Sequence, residues 1–369
     1  MALYAAVVWS WHPRADARAE TEPLSISRPA STAGEATLLF GGDTAVTDQS
    51  LSTVLVKGYL FPFGSTLDLV READVAVVNI EAPVTDGGTR FPVYKDYVYR
   101  SPAAFASGLA QAGIDVVQLA NNHALDYGRD GLAETVANLG QAGLAVIGAG
   151  RDAAEARRGV VVDVGGLRVG LLAYCERQFL WDVYVGQFAG ANRAGVAMAA
   201  EPDLARDVAR LRARADVVVV SFHVGDNYAP PTASAWRWAR RAIDAGADLV
   251  VDHHPHVAHP VGLYRGRAIL FSLGNYAFGT PGRFEIDRGD VFNVGLLARA
   301  HARKCPGGGA ALDRLELVPL AVQNERVHFR PEPLAGVALI ATLDRLRERS
   351  RAYGADLQNG VLVLPGCAR

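Results

Sequence analysis

Val217-Val218-Val219-Val220-Ser221-Phe222-His223-Val224-Gly225-Asp226 decides the reading of this chain. Four valines in succession, closed by turn residues, make a strand that is apolar on both faces. Strands of that kind lie buried between layers. The residues just past the run differ in kind: an imidazole and a carboxylate stand where the strand ends.

The same form recurs along the sequence. Ala36 to Phe40, Val75 to Val78, Val116 to Leu119, Val160 to Val164 and Val169 to Ala173 are short apolar runs. Leu249 to Val251 and Ala268 to Phe271 continue the series. Between the runs lie amphipathic stretches with helical period: Gly131 to Ala142, Asp203 to Ala213 and Ala233 to Ala245. Alternating strand and helix predicts an α/β fold with both faces of its sheets covered. No internal repeat interrupts the pattern.

Polar clusters sit just past the strand ends. Asp43 follows the first run in Gly41-Gly42-Asp43-Thr44, and Asn79-Ile80-Glu81 closes the second. Asn121-Asn122-His123 with Asp126-Tyr127-Gly128 follows the third. Asp252-His253-His254-Pro255-His256 and Ser272-Leu273-Gly274-Asn275-Tyr276 follow later ones. Any one of these residues alone has an ordinary reading as a locally hydrogen-bonded strand end. Together they bring carboxylates, amides and imidazoles to a single edge, the donor set of a divalent cation. His254-Pro255-His256 is the sharpest element, because three histidines within four residues make a poor core segment.

Composition narrows the class. The chain has 369 residues, half of them apolar and about a fifth charged, which allows a sizeable core. Its formal net charge is −2 with no basic block, so nucleic acid is not expected as a partner. Cys175, Cys305 and Cys367 show no metal-site spacing and read as unremarkable thiols in a reducing compartment. Leu3 to Trp9 is too short to span a bilayer and lacks a basic lead, so neither a signal peptide nor a membrane anchor is expected. The expected location is the cytoplasm. Residues 13–35 read as a flexible lead-in, within an expected division into 1–35, a catalytic domain over 36–280, and a capping C-terminal extension over 281–369.

The strand-end motifs, with Gly148-Ala149-Gly150 and Arg193-Ala194-Gly195-Val196, resemble the CapA-like family of poly-γ-glutamate capsule-synthesis proteins, a branch of the calcineurin-like metallophosphoesterase superfamily. The resemblance covers roughly residues 36–280 and implies a four-layer α/β/β/α sandwich with metal at the strand ends. It implies Asp43, Glu81, Asn122, His223, His254 and His256 as ligands of a divalent ion: Ca²⁺, Mg²⁺, Mn²⁺ or Zn²⁺. It makes His123 an acid/base group oriented by Asp126. The chain departs from the superfamily pattern at Ala45, where a histidine ligand is usual, and at Glu81, where Asp is usual. Val224, Asn227 and Asp252 depart from the family pattern as well. The loss at Ala45 argues against two tightly held metals.

Three activities compete. A phosphoesterase would use the ligand set with His123 protonating the leaving group. A role in capsule polymer synthesis is expected of membrane-tied relatives. A peptide epimerase, similar to those that invert the C-terminal residue of lasso-peptide precursors, would need two opposed acid/base pairs. His123 with Asp126 is one such pair, and His254 with Asp226 or Asp252 the other. Trp181, Tyr184, Phe188 and Trp238 would line a groove for the peptide substrate, while Trp236 falls on the apolar face of its helix. The epimerase is the preferred expectation.

Overall fold

Two apolar faces on one strand require two packing partners. The computed structural model describes residues 22–90, 95–177, 186–279 and 289–367. The first strands are β1 (Leu24–Arg28), β2 (Glu35–Ala45), β3 (Val75–Ile80), β4 (Val116–Gln118) and β5 (Ala145–Ile147). Next come β6 (Ala149–Gly150), β7 (Val160–Val164), β8 (Leu167–Cys175) and β9 (Gly195–Val196). They are followed by β10 (Val217–His223), β11 (Leu249–His253), β12 (Val261–Tyr264), β13 (Arg267–Leu270) and β14 (Asn275–Phe278). The chain closes with β15 (Gly295–Lys304), β16 (Ala310–Ala321), β17 (Glu332–Pro333) and β18 (Val361–Val363). The helices that bear on the site are α1 (Phe105–Ala112), α2 (Gly128–Gln141), α3 (Glu201–Arg212), α4 (Ala233–Ala245) and α5 (Gly336–Arg351).

One seven-stranded sheet runs β1-β7-β8-β10-β11-β13-β12. A nine-stranded sheet runs β17-β16-β15-β2-β3-β4-β5, with β14 beside β2 and β18 beside β16. Val217, Val219, Leu249 and Val251 enter the core shared with Leu39, Val77 and Val117 of the other sheet. Their neighbours Val218, Val220 and Val250 pack instead on Leu204, Val208 and Leu211 of α3 and Ala239, Ala242 and Ile243 of α4. The alternation explains why the whole run had to be apolar. On the other sheet, Phe105 and Leu109 of α1 and Leu132, Val136 and Leu139 of α2 are buried. The layering is the expected α/β/β/α sandwich. Strands β8, β10, β11 and β13 are mutually parallel, as are β2 to β5, so the ends of each group share an edge.

The structure corrects several expectations. Within the supposed lead-in, β1 pairs in parallel with β7. Its exposure alternates along Leu24-Ser25-Ile26-Ser27-Arg28, as suits a half-solvated edge strand whose polar residues hide its period. Residues beyond 288 do not merely cap the domain: β15 lies antiparallel beside β2, well inside the nine-stranded sheet. The cysteines are not three free thiols, because Cys305 and Cys367 form a disulfide across a separation of 62 residues. Short-range spacing could not show this pair, since it meets only through the β16–β18 pairing, and the ground for a reducing compartment goes with it. Cys175 is buried and stands outside the disulfide. Among the described residues no helix is long and apolar enough to cross a membrane.

Of the aromatics expected in a groove, Trp181 and Tyr184 lie outside the described residues. Phe188 and Trp238 belong to the packed cores. Trp236 stacks on Tyr353 with ring centroids 5.8 Å apart, the packing its helix face predicts.

Candidate metal centre

The site begins with a distortion of β2. The register with β3 shifts between Gly41 and Asp43, and the Asp43 amide donates to the Gly274 carbonyl at 2.9 Å. A Cβ on Gly42 would stand 1.9 Å from that same oxygen, so only glycine lets the two chains approach. Asp43 is left fully buried at the strand end. Its Oδ1 accepts from Asn79 Nδ2 at 2.7 Å, and Asn79 Oδ1 accepts from Asn121 Nδ2 at 3.1 Å. Asn121 also takes the His123 amide on its Oδ1 at 3.1 Å. This amide relay ties three strand ends together; its members were visible as motifs, but their holding role was not.

Glu81 is the centre of the arrangement. It is completely buried, and neither carboxylate oxygen has a hydrogen-bond partner. Burial pushes its carboxyl well above the usual range, and the negative Asp43 adds to the rise. Two groups of donors converge on it: Glu81 with His223 and His254, and Asp43 with Glu81 and His256. In the first group, His223 Nε2 lies 2.9 Å from Asn122 Oδ1, 3.0 Å from His254 Nδ1 and 3.3 Å from Glu81 Oε1. One ring nitrogen cannot satisfy three partners at once. A shared divalent cation would satisfy all four atoms.

The second group has the same character. His256 Nδ1 lies 2.9 Å from Asn275 Oδ1, 3.3 Å from Asp43 Oδ2 and 3.8 Å from Glu81 Oε2. Asp43 Oδ2 is itself buried without a hydrogen bond. Orphaned carboxylate oxygens facing imidazoles are the signature of a cation site, since uncompensated buried charge is otherwise expensive. The donors present therefore fit the divalent ion that the fold implies. All six expected ligands, Asp43, Glu81, Asn122, His223, His254 and His256, meet here. To aim the last two, the backbone turns left-handed at His254 (φ 104°) and His256 (φ 59°), a conformation costly for non-glycine residues.

Beside the candidate ligands stands a histidine–carboxylate pair. His123 Nδ1 lies 2.7 Å from Asp126 Oδ2, and the ring stacks on Tyr99 with centroids 4.3 Å apart. Lys95 reaches over this pair, bonding Asp126 Oδ1 and donating to the Asn122 carbonyl at 2.9 Å. Burial, aided by the Lys95 charge, brings His123 down to about 4, so the ring is neutral near pH 7. Lys95 lies in a loop remote from any strand-end pattern, and no sequence spacing singles it out. Asp226, the expected partner of His254, is solvent-exposed. Asp252 is buried without a hydrogen bond, and burial followed by the charge of Glu176 drives its carboxyl well upward. Neither acid is thus bonded to His254, and His123–Asp126 is the His/carboxylate pair that adjoins the ligand groups.

A cleft of about 560 Å³ adjoins the centre, lined by Tyr228, Pro230, Asp290 and Arg349 among others. Tyr228 connects the two, its ring 5.9 Å from that of His256.

Comparison with known proteins agrees with this layout. The profile of the bacterial capsule synthesis protein PGA_cap matches residues 37–280. A probable polyglutamine synthesis accessory protein of Mycobacterium tuberculosis is 36% identical over 228 residues, 58% of this chain and 59% of that protein. The PGA biosynthesis protein CapA of Bacillus subtilis is 30% identical over 213 residues, 57% of this chain and 54% of the relative. The capsule biosynthesis protein CapA of Bacillus anthracis is 33% identical over 263 residues, 69% and 60% of the two chains. The matches thus span less than two-thirds of these relatives' own lengths. With two-thirds of its length inside the profile and the metal-type site built from that portion, the chain belongs to the bacterial capsule synthesis protein PGA_cap family.

Proposed function

We propose that this chain is a metal-dependent hydrolase of phosphoester-type bonds, serving the polymer metabolism that its relatives' names describe. The observation that carries the reading is the pair of buried donor groups sharing Glu81, whose oxygens have no hydrogen-bond partner within the protein. Although Ala45 lacks the usual histidine, the donors still form two groups: cations held by Asp43, Glu81 and His256 on one side, and by Glu81, Asn122, His223 and His254 on the other, would supply Lewis-acid stabilisation to a displacement at phosphorus. The protein's own contribution is positional. Asn79 and Asn121 fix the Asp43 carboxylate, and the turns at His254 and His256 hold the imidazoles. Asp126 engages His123 Nδ1 and so leaves Nε2 for a substrate proton. Lys95 neutralises Asp126 and anchors the loop that carries His123.

A second reading keeps the peptide substrate: epimerisation at a Cα. What favours it is a second neutral imidazole, His254, brought down to about 3 by burial and by the neighbouring His256. The readings separate in one experiment. Metal-stripped protein, resupplied with Mn²⁺, is incubated with bis(p-nitrophenyl) phosphate and, in parallel, with carboxylate-terminated peptides in D₂O. Hydrolysis requires Mn²⁺-dependent release of nitrophenol, falling at least ~100-fold in His123→Ala. Deuterium entering one Cα with inversion, and no release from the ester, would establish the epimerase instead.

A further inference from the structure

The cleft beside the centre is tied to it by the chain itself. The Tyr228 amide donates to the Pro255 carbonyl at 2.9 Å, between the candidate ligands His254 and His256. The Ala229 carbonyl, next in line, accepts from His259 Nε2 at 2.7 Å. The rest of the lining includes Asp290, Val291 and Arg349, all beyond the family match at residues 37–280. At about 560 Å³ the space suits one small ligand, and Tyr228, Pro230 and Val291 make much of it apolar.

Two opposite charges enter this apolar space, and among the described residues they form no ion pair with each other. Other arginines of α5 are bonded: Arg345 donates to the Val291 carbonyl at 2.7 Å, and Arg347 and Arg351 pair with Asp356. Arg349 lines the cleft, and among the described residues it has no hydrogen-bond acceptor. Asp290 is oriented independently of it. Its Oδ2 accepts from the Tyr353 hydroxyl at 2.6 Å, and the Tyr353 ring is held by stacking on Trp236. Among the described residues Asp290 Oδ1 has no donor. A guanidinium takes a carboxylate through two N–H groups, and a fixed carboxylate takes an ammonium. A ligand with one charge would meet one attraction and one repulsion in this cleft. A ligand with both charges satisfies both walls.

We propose that this cleft is a subsite for an amino-acid head group, Arg349 taking the α-carboxylate and Asp290 the α-ammonium, of a small phosphoester whose phosphorus lies at the metal centre. The proposal rests on the hydrolase reading and names its substrate class; its test includes a binding measurement that needs no turnover. Full-length protein, with Mn²⁺ and after chelator, is titrated by calorimetry with para-phosphonomethyl-phenylalanine, a phosphotyrosine analogue that resists hydrolysis. The carboxamide and N-acetyl forms of the same compound are titrated alongside. The wild type should bind the free amino acid at least about fivefold more tightly than either blocked form. Arg349→Gln should abolish the preference over the carboxamide and keep the preference over the N-acetyl form. Asp290→Asn, which can still accept from Tyr353, should do the reverse. Equal binding of all three forms by the wild type, or both preferences surviving in either variant, would overturn the subsite. Phosphate release from O-phosphotyrosine is followed in parallel. No Mn²⁺-dependent release with the preferences intact would sink the hydrolase and keep the subsite. Release with equal binding of the three forms would sink the subsite and keep the hydrolase.

Discussion

Buried imidazoles around Glu81 respond to pH in opposite senses, and the metal-free protein should show it. Burial is the leading cause that lowers His123, His223, His254 and His259, all four below the ordinary 6.5. For these groups stability is present above 6.5 and is lost as pH falls, because the unfolded chain takes up protons that the fold refuses. His256 behaves in reverse. Burial opposes its cation, but Glu81 and Asp43 outweigh that and push it up to about 9. Its contribution is complete below 6.5 and is lost as pH rises toward 9. Glu81 and Asp252, raised well above their ordinary values chiefly by burial, add to the loss on the alkaline side. Below 6.5 the four lowered imidazoles outnumber these two carboxyls, so stability should peak near pH 6.5. Thermal unfolding of chelator-treated protein across pH 5 to 9 checks this. The His256 term alone corresponds to roughly 3 kcal/mol on the alkaline side. A flat or monotonic profile would contradict it.

At the scale of elements, the approach of β2 to β14 governs the site. Gly42→Ala would drive a Cβ into the Gly274 carbonyl and should cost about 2–4 kcal/mol. Denaturant unfolding measures that loss, and Mn²⁺ uptake should fall with it, since Asp43 is displaced. Helix α5 offers a gentler change. Its Arg345 holds the Val291 carbonyl at 2.7 Å, and Arg347 and Arg351 pair with Asp356. Arg349 instead faces the cleft beside Tyr228. For an anionic substrate, Arg349→Ala should raise KM about fivefold with kcat little changed, the pattern of lost uniform binding. Elements were unevenly legible in the sequence. Doubly buried strands such as β10 announced themselves by unbroken apolar runs. In β15 exposure alternates through Arg299, His301 and Arg303, and the charges obscured a period-two pattern that was present. The ligands were readable because parallel strands end at one edge. Asn79 and Lys95 were not, because their roles depend on an amide relay between strand ends and on a loop crossing that no local pattern encodes.

At the scale of the molecule, stability and chemistry are held at opposite ends of the same sheet. The β2–β15 ladder pairs Glu35 with Arg303, and Lys304 donates to the Gly34 carbonyl at 2.8 Å. Cys305 therefore sits by the start of β2, whereas Asp43 sits eight residues along it, about 26 Å away at ordinary strand rise. The Cys305–Cys367 bond ties the chain's end to that remote edge across 62 residues. Closing a loop of this size removes unfolded-chain entropy corresponding to roughly 4 kcal/mol. Reduction, or the Cys305→Ser/Cys367→Ser pair of substitutions, should lower the unfolding free energy by about 2–4 kcal/mol. Mn²⁺ stoichiometry and affinity, measured below the lowered melting temperature, should stay as they were, because the strand ends that carry the donors keep their partners. A loss of metal in step with reduction would mean that the far edge of the sheet transmits its disorder to Asp43. The two ends would then form one cooperative unit rather than a remote clip and an independent centre.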